Sequence, residues 1–256
     1  YVKTADTKER LSEVEIRIEA RADSFSVESD YGNTKNGDRW RNTGKIVVDY
    51  RLMVPRGAVL DEAETVNGSV SVSGFTNNIK VSAVNGQISA TNIRGTAKLC
   101  TVNGDVNADL ERVESGSKIT LETVNGRVNL TIPSDSSAMV KAESLNGEIR
   151  NDFGLPVRKG KYVGRDMYGR IGSGDAQIKL SSVNGGLTVG RRNDGRTLSP
   201  ATNLLTQQDA DDDWDDDVAS TAKLNTEIRV AHKASKESIK TIAKVTPEIA
   251  RVAAES

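Results

Sequence analysis

Residues 64–90 read ETVNGSVSVSGFTNNIKVSAVNGQISA, and the stretch states one short pattern three times. Val66-Asn67-Gly68 returns as Val84-Asn85-Gly86, with Phe75-Thr76-Asn77 halfway between them. Asn-Gly follows an aliphatic residue again at Asn103-Gly104, Asn125-Gly126, Asn146-Gly147 and Asn184-Gly185, at successive intervals of 18, 18, 22, 21 and 38 residues. The last interval reads as two turns with an insertion. Weaker half-repeats such as Ile93-Arg94-Gly95 fall in between, so the unit is about nine residues long, with apolar residues at its positions 1, 5 and 7.

Positions 5 and 7 alternate with polar neighbours, which is the period of a half-buried strand. Position 3 is Gly68, Asn77, Gly86, Gly95 or Gly104. Gly and Asn tolerate positive φ best, so each unit reads as a left-handed corner followed by a short strand. Locally, Asn-Gly more often means an antiparallel hairpin. A meander of hairpins, however, does not need two corner types in strict alternation, whereas a coil of two strands and two corners does. The expected fold is therefore all-β, a parallel β-solenoid (β-helix) of nine-residue half-coils. Strands of successive coils then pair about 4.8 Å apart and like residues stack. Asn67, Asn85, Asn103 and Asn125 form a column whose amides hydrogen-bond along it, so the repeat is mainly architecture. The shared phase of position 5 places Val70, Ile88, Val106, Val128 and Leu187 in one buried column, facing Ile79, Ala97, Ile119, Val140 and Ile178 in another.

The composition agrees with thin, stacked strands. Aromatics are only 4% of the 256 residues, and small and β-branched residues dominate. Lys plus Arg is 35 and Asp plus Glu is 36, and the net charge of -1 predicts no general affinity for nucleic acid or anionic membrane. The single cysteine, Cys100, excludes an intramolecular disulfide and a cysteine-based zinc cage. No apolar run approaches the roughly 20 residues of a transmembrane segment. The chain starts at Tyr1 rather than Met, which fits a removed export signal or a trimmed end.

The run VDYRLMVPRGAVLDEAETVNGSVSVSG, the recurrent TVNG turns and the later GRIGSGDAQIKLSSVNGGLTVGRR together resemble the putative-adhesin family of bacterial β-strand-repeat proteins. The resemblance covers about residues 45–192. It implies a β-solenoid, often on exported or cell-envelope proteins, and it transfers no catalytic residue.

Four regions follow. Residues 1–65 read as an N-terminal β capping region, with strands in 11–30 and 44–55 covering the exposed pairing edge of the first coil. The solenoid occupies 66–190 and carries an insertion at 151–174, where Phe153, Tyr162 and Tyr168 interleave with Arg158, Lys159, Lys161, Arg165 and Arg170. That insertion is either a flap over a coil edge or a loop binding a glycan or peptide. Residues 191–217 read as a flexible acidic linker ending in seven aspartates within nine positions, 209–217. The run lacks the Gly and distal Glu of a calcium loop. Residues 218–256 read as an amphipathic helical tail, with Leu224, Ile228, Ile239 and Ile242 on its apolar side and a fresh helix start at Thr246-Pro247.

Chemistry is sparse. The one histidine, His232, has no motif partner, and no nucleophile elbow, phosphate-binding loop or metal-ligand spacing is present. Asp105 and Asp109 are the one outward carboxylate pair on the Asn-Gly face, and they sit at the two ends of one strand, too far apart for a retaining dyad. No enzyme activity and no cofactor are expected. On the other face the central outward position reads Lys80, Lys98, Thr120, Lys141 and Lys179. Such a row either protects edges and keeps the surface soluble or awaits an acidic partner, for which residues 209–217 are a candidate. Together with the resemblance, the sequence points to an extracellular or cell-surface structural protein, adhesin-like and self-assembling, whose C-terminal arm either folds back on its own solenoid or links copies into a homo-oligomer or filament. The rival is an envelope module that captures a glycan or other cell-surface ligand through the insertion.

Overall fold

Each Asn-Gly pair becomes the corner between two strands that lie in different sheets. The computed structural model describes residues 1–22, 24–30, 46–160, 163–205 and 240–247. Ahead of the repeats come β1 (Val2–Ala5), one helical turn (Lys8–Leu11), the antiparallel hairpin of β2 (Glu15–Ala20) and β3 (Phe25–Asp30), and β4 (Ile46–Asp49), which pairs with β1. The coils follow. β5 (Ala58–Asn67) and β6 (Val70–Ser73) make the first, β7 (Ile79–Asn85) and β8 (Ile88–Ile93) the second, and β9 (Ala97–Asn103) and β10 (Val106–Leu110) the third. β11 (Lys118–Asn125) and β12 (Val128–Ile132) make the fourth, and β13 (Ala138–Asn146) and β14 (Ile149–Asn151) another. After β15 (Arg158–Lys159) and β16 (Arg165–Ile171), β17 (Ala176–Asn184) and β18 (Leu187–Arg191) add one more coil. β19 (Ala201–Asn203) and β20 (Lys240–Pro247) come last.

The strand before each corner joins a 12-stranded sheet, and the strand after it joins a 6-stranded sheet. Coil-to-coil pairing is parallel in both, so the repeats form a β-solenoid rather than a meander. The two columns stand as read. Ile88, Val106, Val128 and Leu187 are fully buried in register, with Val70 half-buried at the end. Ile79, Ala97, Ile119, Ile178 and Val140 line the opposite wall. Each fully buried Val, Leu or Ile among them contributes about 1.5–3 kcal/mol by leaving water. Because every coil adds the same narrow wedge, the core needs few rings.

The coils do not stack in chain order. β17 and β18 pair between β11–β12 on one side and β13–β14 on the other. The 151–174 insertion explains how. Its strand β16 runs antiparallel along β13, from Ala138↔Ile171 to Ser144↔Arg165, and β15 and β19 pair beyond it. The chain therefore makes the terminal coil first, closes its edge, and returns to fill the gap.

At the opposite end the helical expectation fails over residues 240–247. β20 is a strand, antiparallel to both β3 and β5, and Thr246-Pro247 continues it rather than starting a helix. Thr241, Ile242, Val245 and Thr246 are β-branched and suit a strand, and the edges of β3 and β5 present backbone groups that require partners. The remainder of the expected helix, with Leu224, Ile228 and Ile239, lies outside the described residues, as do His232 and the acidic run at 209–217.

Candidate functional site

The most ordered polar feature is the Asn-Gly edge. Nδ2 of Asn85 donates to Oδ1 of Asn67 at 3.0 Å, Asn103 to Asn85 at 2.9 Å, Asn125 to Asn103 at 2.9 Å, Asn184 to Asn125 at 2.9 Å and Asn146 to Asn184 at 3.0 Å. Six amides form one unbroken ladder in the spatial order of the coils.

From Gly86 onward the glycines beside it are needed for space, and this corrects the left-handed reading of the corner at those coils. Gly68 at φ 138° keeps the positive φ expected of this corner and has room for a Cβ, Gly104 at φ 158° lies at the limit of that region, and Gly86, Gly126, Gly147 and Gly185 lie outside it. A Cβ on Gly86 would sit 1.9 Å from the carbonyl oxygen of Gly68. The same clash recurs at 2.2 Å for Gly104, 2.0 Å for Gly126, 1.7 Å for Gly185 and 1.9 Å for Gly147, each against the glycine of the adjoining coil. At the other corner type Gly95 is left-handed at φ 73°, whereas Asn77 in the preceding coil is not.

The remaining letters of TVNG also acquire reasons. The inward Thr101 and Thr123 hydroxyls donate to the carbonyls of Gly86 and Gly104 at 2.9 Å, and Ser182 and Ser144 do the same to Gly126 and Gly185 at 3.1 and 2.9 Å. These buried hydroxyls were not singled out from the sequence. The signal was the hydroxyl residue two places before most of the asparagines. Val66, Val84, Val102, Val124 and Val183 occupy the outward place between them, half-buried, with Leu145 exposed at the end.

On the outer face of the 12-stranded sheet, the lysine row runs Lys80, Lys98, Thr120, Lys179, Lys141. Its acidic partners come from neighbouring positions of the same sheet. Lys80 Nζ is 2.6 Å from Glu62, Lys141 is 2.7 Å from Glu143, and Lys179 is 3.8 Å from Glu122. The hydrogen bond that Lys80 donates to Glu62 holds its ammonium above its ordinary pKa. Beside Lys98, the Cys100 thiol is buried and lies 3.7 Å from Glu122. Burial first, and the Glu122 charge second, push its pKa up to about 12, so it stays a protonated thiol at neutral pH.

The insertion closes the end of the rod. Phe153 and Leu155 are buried in the core, and the Asn151 side chain fixes their loop by accepting from the backbone N–H groups of Phe153 and Leu155 and donating to the Leu155 carbonyl. Arg158 binds Asp166 through Nε at 3.1 Å and Nη2 at 2.7 Å, and Arg165 donates to the Gly147 carbonyl at 2.5 Å, ending the glycine column. Tyr168 lies opposite Lys141 and is partly exposed. Tyr162 lies outside the described residues. Phe153 and Tyr168 are therefore not brought together as a binding surface.

The outward carboxylates are engaged too. Asp105 accepts from Arg127 at 3.1 Å and Asp109 from Arg192 at 2.5 Å. Among the described residues no group of three or more His, Cys, Asp or Glu is placed to hold a metal ion. No helix among them is long and apolar enough to cross a membrane.

A solved structure from Clostridium sporogenes, that of a "putative cell adhesion protein", is similar at 16% identity over 74% of this chain and 81% of that one, with a TM-score of 0.41. No curated protein matches the chain. The stacked coils, their TVNG corners and the hairpin that precedes them fall within residues 12–190, well over half of the 256, which match the model of the Toastrack DUF4097 family, and the chain belongs to that family.

Proposed function

We propose that the chain is a non-catalytic, adhesin-like structural rod of the cell surface that assembles with further copies of itself through its C-terminal segment. The surface location is what the resemblance of its repeats to adhesin-like proteins implies. The observation that carries the reading is that the repeated polar side chains are committed to one another. The asparagines bond along their ladder, three of the row lysines bind carboxylates of their own sheet, and Asp105 and Asp109 bind arginines. Such a surface holds a shape, and a stiff rod with a tethered segment is a spacer that links. The rival reading, in which the insertion captures a glycan or peptide, has less support. Phe153 is in the core and β16 is committed to β13.

Light scattering coupled to size-exclusion chromatography, run over a wide concentration range, tests the reading. The full chain should form oligomers that grow with concentration. A chain ending at residue 205 should keep its β circular dichroism and remain monomeric. A full chain that stays monomeric throughout contradicts the reading.

A further inference from the structure

The sheet carries its C-terminal strand in an unusual place. β20 lies between β3 and β5 and is antiparallel to both, from Lys240↔Asp30 to Val245↔Phe25 on one side and from Ala243↔Ala63 to Pro247↔Ala58 on the other. Among the described residues, β20 is the only link between the β2–β3 hairpin and the first coil in this sheet. Without it, two strands that each need a partner would face an empty slot.

The strand also arrives from the far end of the molecule. Its nearest described predecessor in that sheet, β19, pairs with β16, and the sheet then runs β16, β13, β17, β11, β9, β7, β5 before β20. Eight strand steps of about 4.8 Å separate the two, roughly 38 Å. Residues 204–239 join them, 36 in all, and that length of chain reaches up to about 120 Å. The connection is therefore about three times longer than filling its own slot requires.

We propose that β20 is a donated strand: the C-terminal segment leaving one rod at its β16 end fills the slot between β3 and β5 at the opposite end of a second copy. Strand pairing is indifferent to which chain supplies the strand, so the same backbone bonds form within a chain or between chains. Donor and slot sit at opposite ends, which makes the contact head-to-tail, and head-to-tail contacts propagate into open chains. Coil-on-coil stacking is not available to the larger sheet, whose two ends are occupied by β16 with β15 and β19, and by β20 with β3 and β2. A tether of this length gives a local concentration on the order of a millimolar or below, so the strand fills its own slot in dilute solution and the neighbour's where copies are crowded. The inference deepens the proposed self-assembly and rests on it.

Two full-length variants, both with Cys100→Ala, test it. One carries Ser26→Cys on β3 and the other Lys244→Cys on β20, opposite positions in the register. After joint refolding at high concentration and mild oxidation, a disulfide between the two arises only from donation between chains. The expected yield of covalent dimer is at least ten-fold above a control that pairs Lys244→Cys with Arg150→Cys on β14. A yield no greater than the control overturns the inference. Independently, an excess of a synthetic peptide of residues 238–249 should reduce unmodified oligomers to monomers by occupying the slot. Oligomers that persist in the peptide overturn strand donation while leaving assembly itself intact. A chain that never oligomerises defeats both.

Discussion

Asn184 donates its side-chain amide to Asn125 at 2.9 Å, although 59 residues separate them in the chain. The intervening coil, β13–β14, has been displaced to the end of the rod, yet the ladder passes through without a gap, because Asn146 then donates to Asn184. Stacking of like corners therefore sets the register, whatever order the chain visits them in.

Loss of a rung should scale with the bonds that rung makes. Asn125 donates to Asn103 and accepts from Asn184, whereas Asn67 only accepts from Asn85. Both sites are exposed, so each bond contributes toward the low end of about 0.5–1.5 kcal/mol. Denaturant titration should show Asn125→Ala destabilising by roughly twice as much as Asn67→Ala. Equal losses would mean that the amides stack without cooperating.

Two glycines separate the demand for space from the demand for backbone conformation. Gly126→Ala places a methyl 2.0 Å from the Gly104 carbonyl oxygen and should cost about 3 kcal/mol or more, with visible disturbance of the coil spacing. Gly116 has φ 76° with open space around it, so Gly116→Ala meets only left-handed strain, about 1–2 kcal/mol. Gly104→Val should fail for the reason that Gly126→Ala does. The reverse ranking of Gly126 and Gly116 would restore the left-handed reading of the Asn-Gly corner.

The insertion should behave as a plug. Phe153→Ala removes a buried ring and should destabilise by about 3–5 kcal/mol, measured by chemical unfolding. Tyr168→Ala and Lys159→Ala alter exposed positions and should shift stability by no more than about 0.5 kcal/mol. A large effect of Tyr168→Ala on binding to any glycan array, with stability unchanged, would favour the rival ligand-binding reading.

Cys100 provides a pH signature. Its pKa is raised from 9.0 to about 12 in the folded chain, so the folded state holds the thiol proton more tightly than the unfolded state does. The stabilisation is complete below about pH 9 and is lost as pH rises toward 12. Over that window the native chain should lose stability more steeply than Cys100→Ala. Thiol reagents at pH 8 should leave Cys100 unmodified until the chain unfolds. Fast labelling of the native protein would show that the thiol is not sealed between Lys98 and Glu122.

Much of this was legible in the repeat. The alternation of positions 5 and 7 identified both buried walls, and the Asn-Gly interval identified the ladder, because strand and coil periods are local properties of the chain. The exchange of β13–β14 with β17–β18 was not legible, since residue intervals count distance along the chain and not which edge a returning strand fills. Positive φ was the wrong reason for most of the glycine column, though Gly68 at φ 138° keeps it, as absence of a side chain serves both positive φ and close approach, and only the stacked carbonyls distinguish them. Residues 240–247 carry apolar spacing compatible with a helix together with four β-branched residues. Two distant edges, β3 and β5, decide in favour of the strand. The acidic partners of Lys80 and Lys179 were missed because Glu62 and Glu122 lie on neighbouring strands, far from those lysines in sequence.

Electron microscopy of the full-length protein at high concentration decides whether these rods are linked end to end by a tethered strand or by stacking of coils. Strand donation should give strings of separate short rods, each about 48 Å along the larger sheet for its ten strand steps, with the strings absent from a chain ending at residue 205. Isolated rods at every concentration, or continuous fibres of uninterrupted coils, would contradict it.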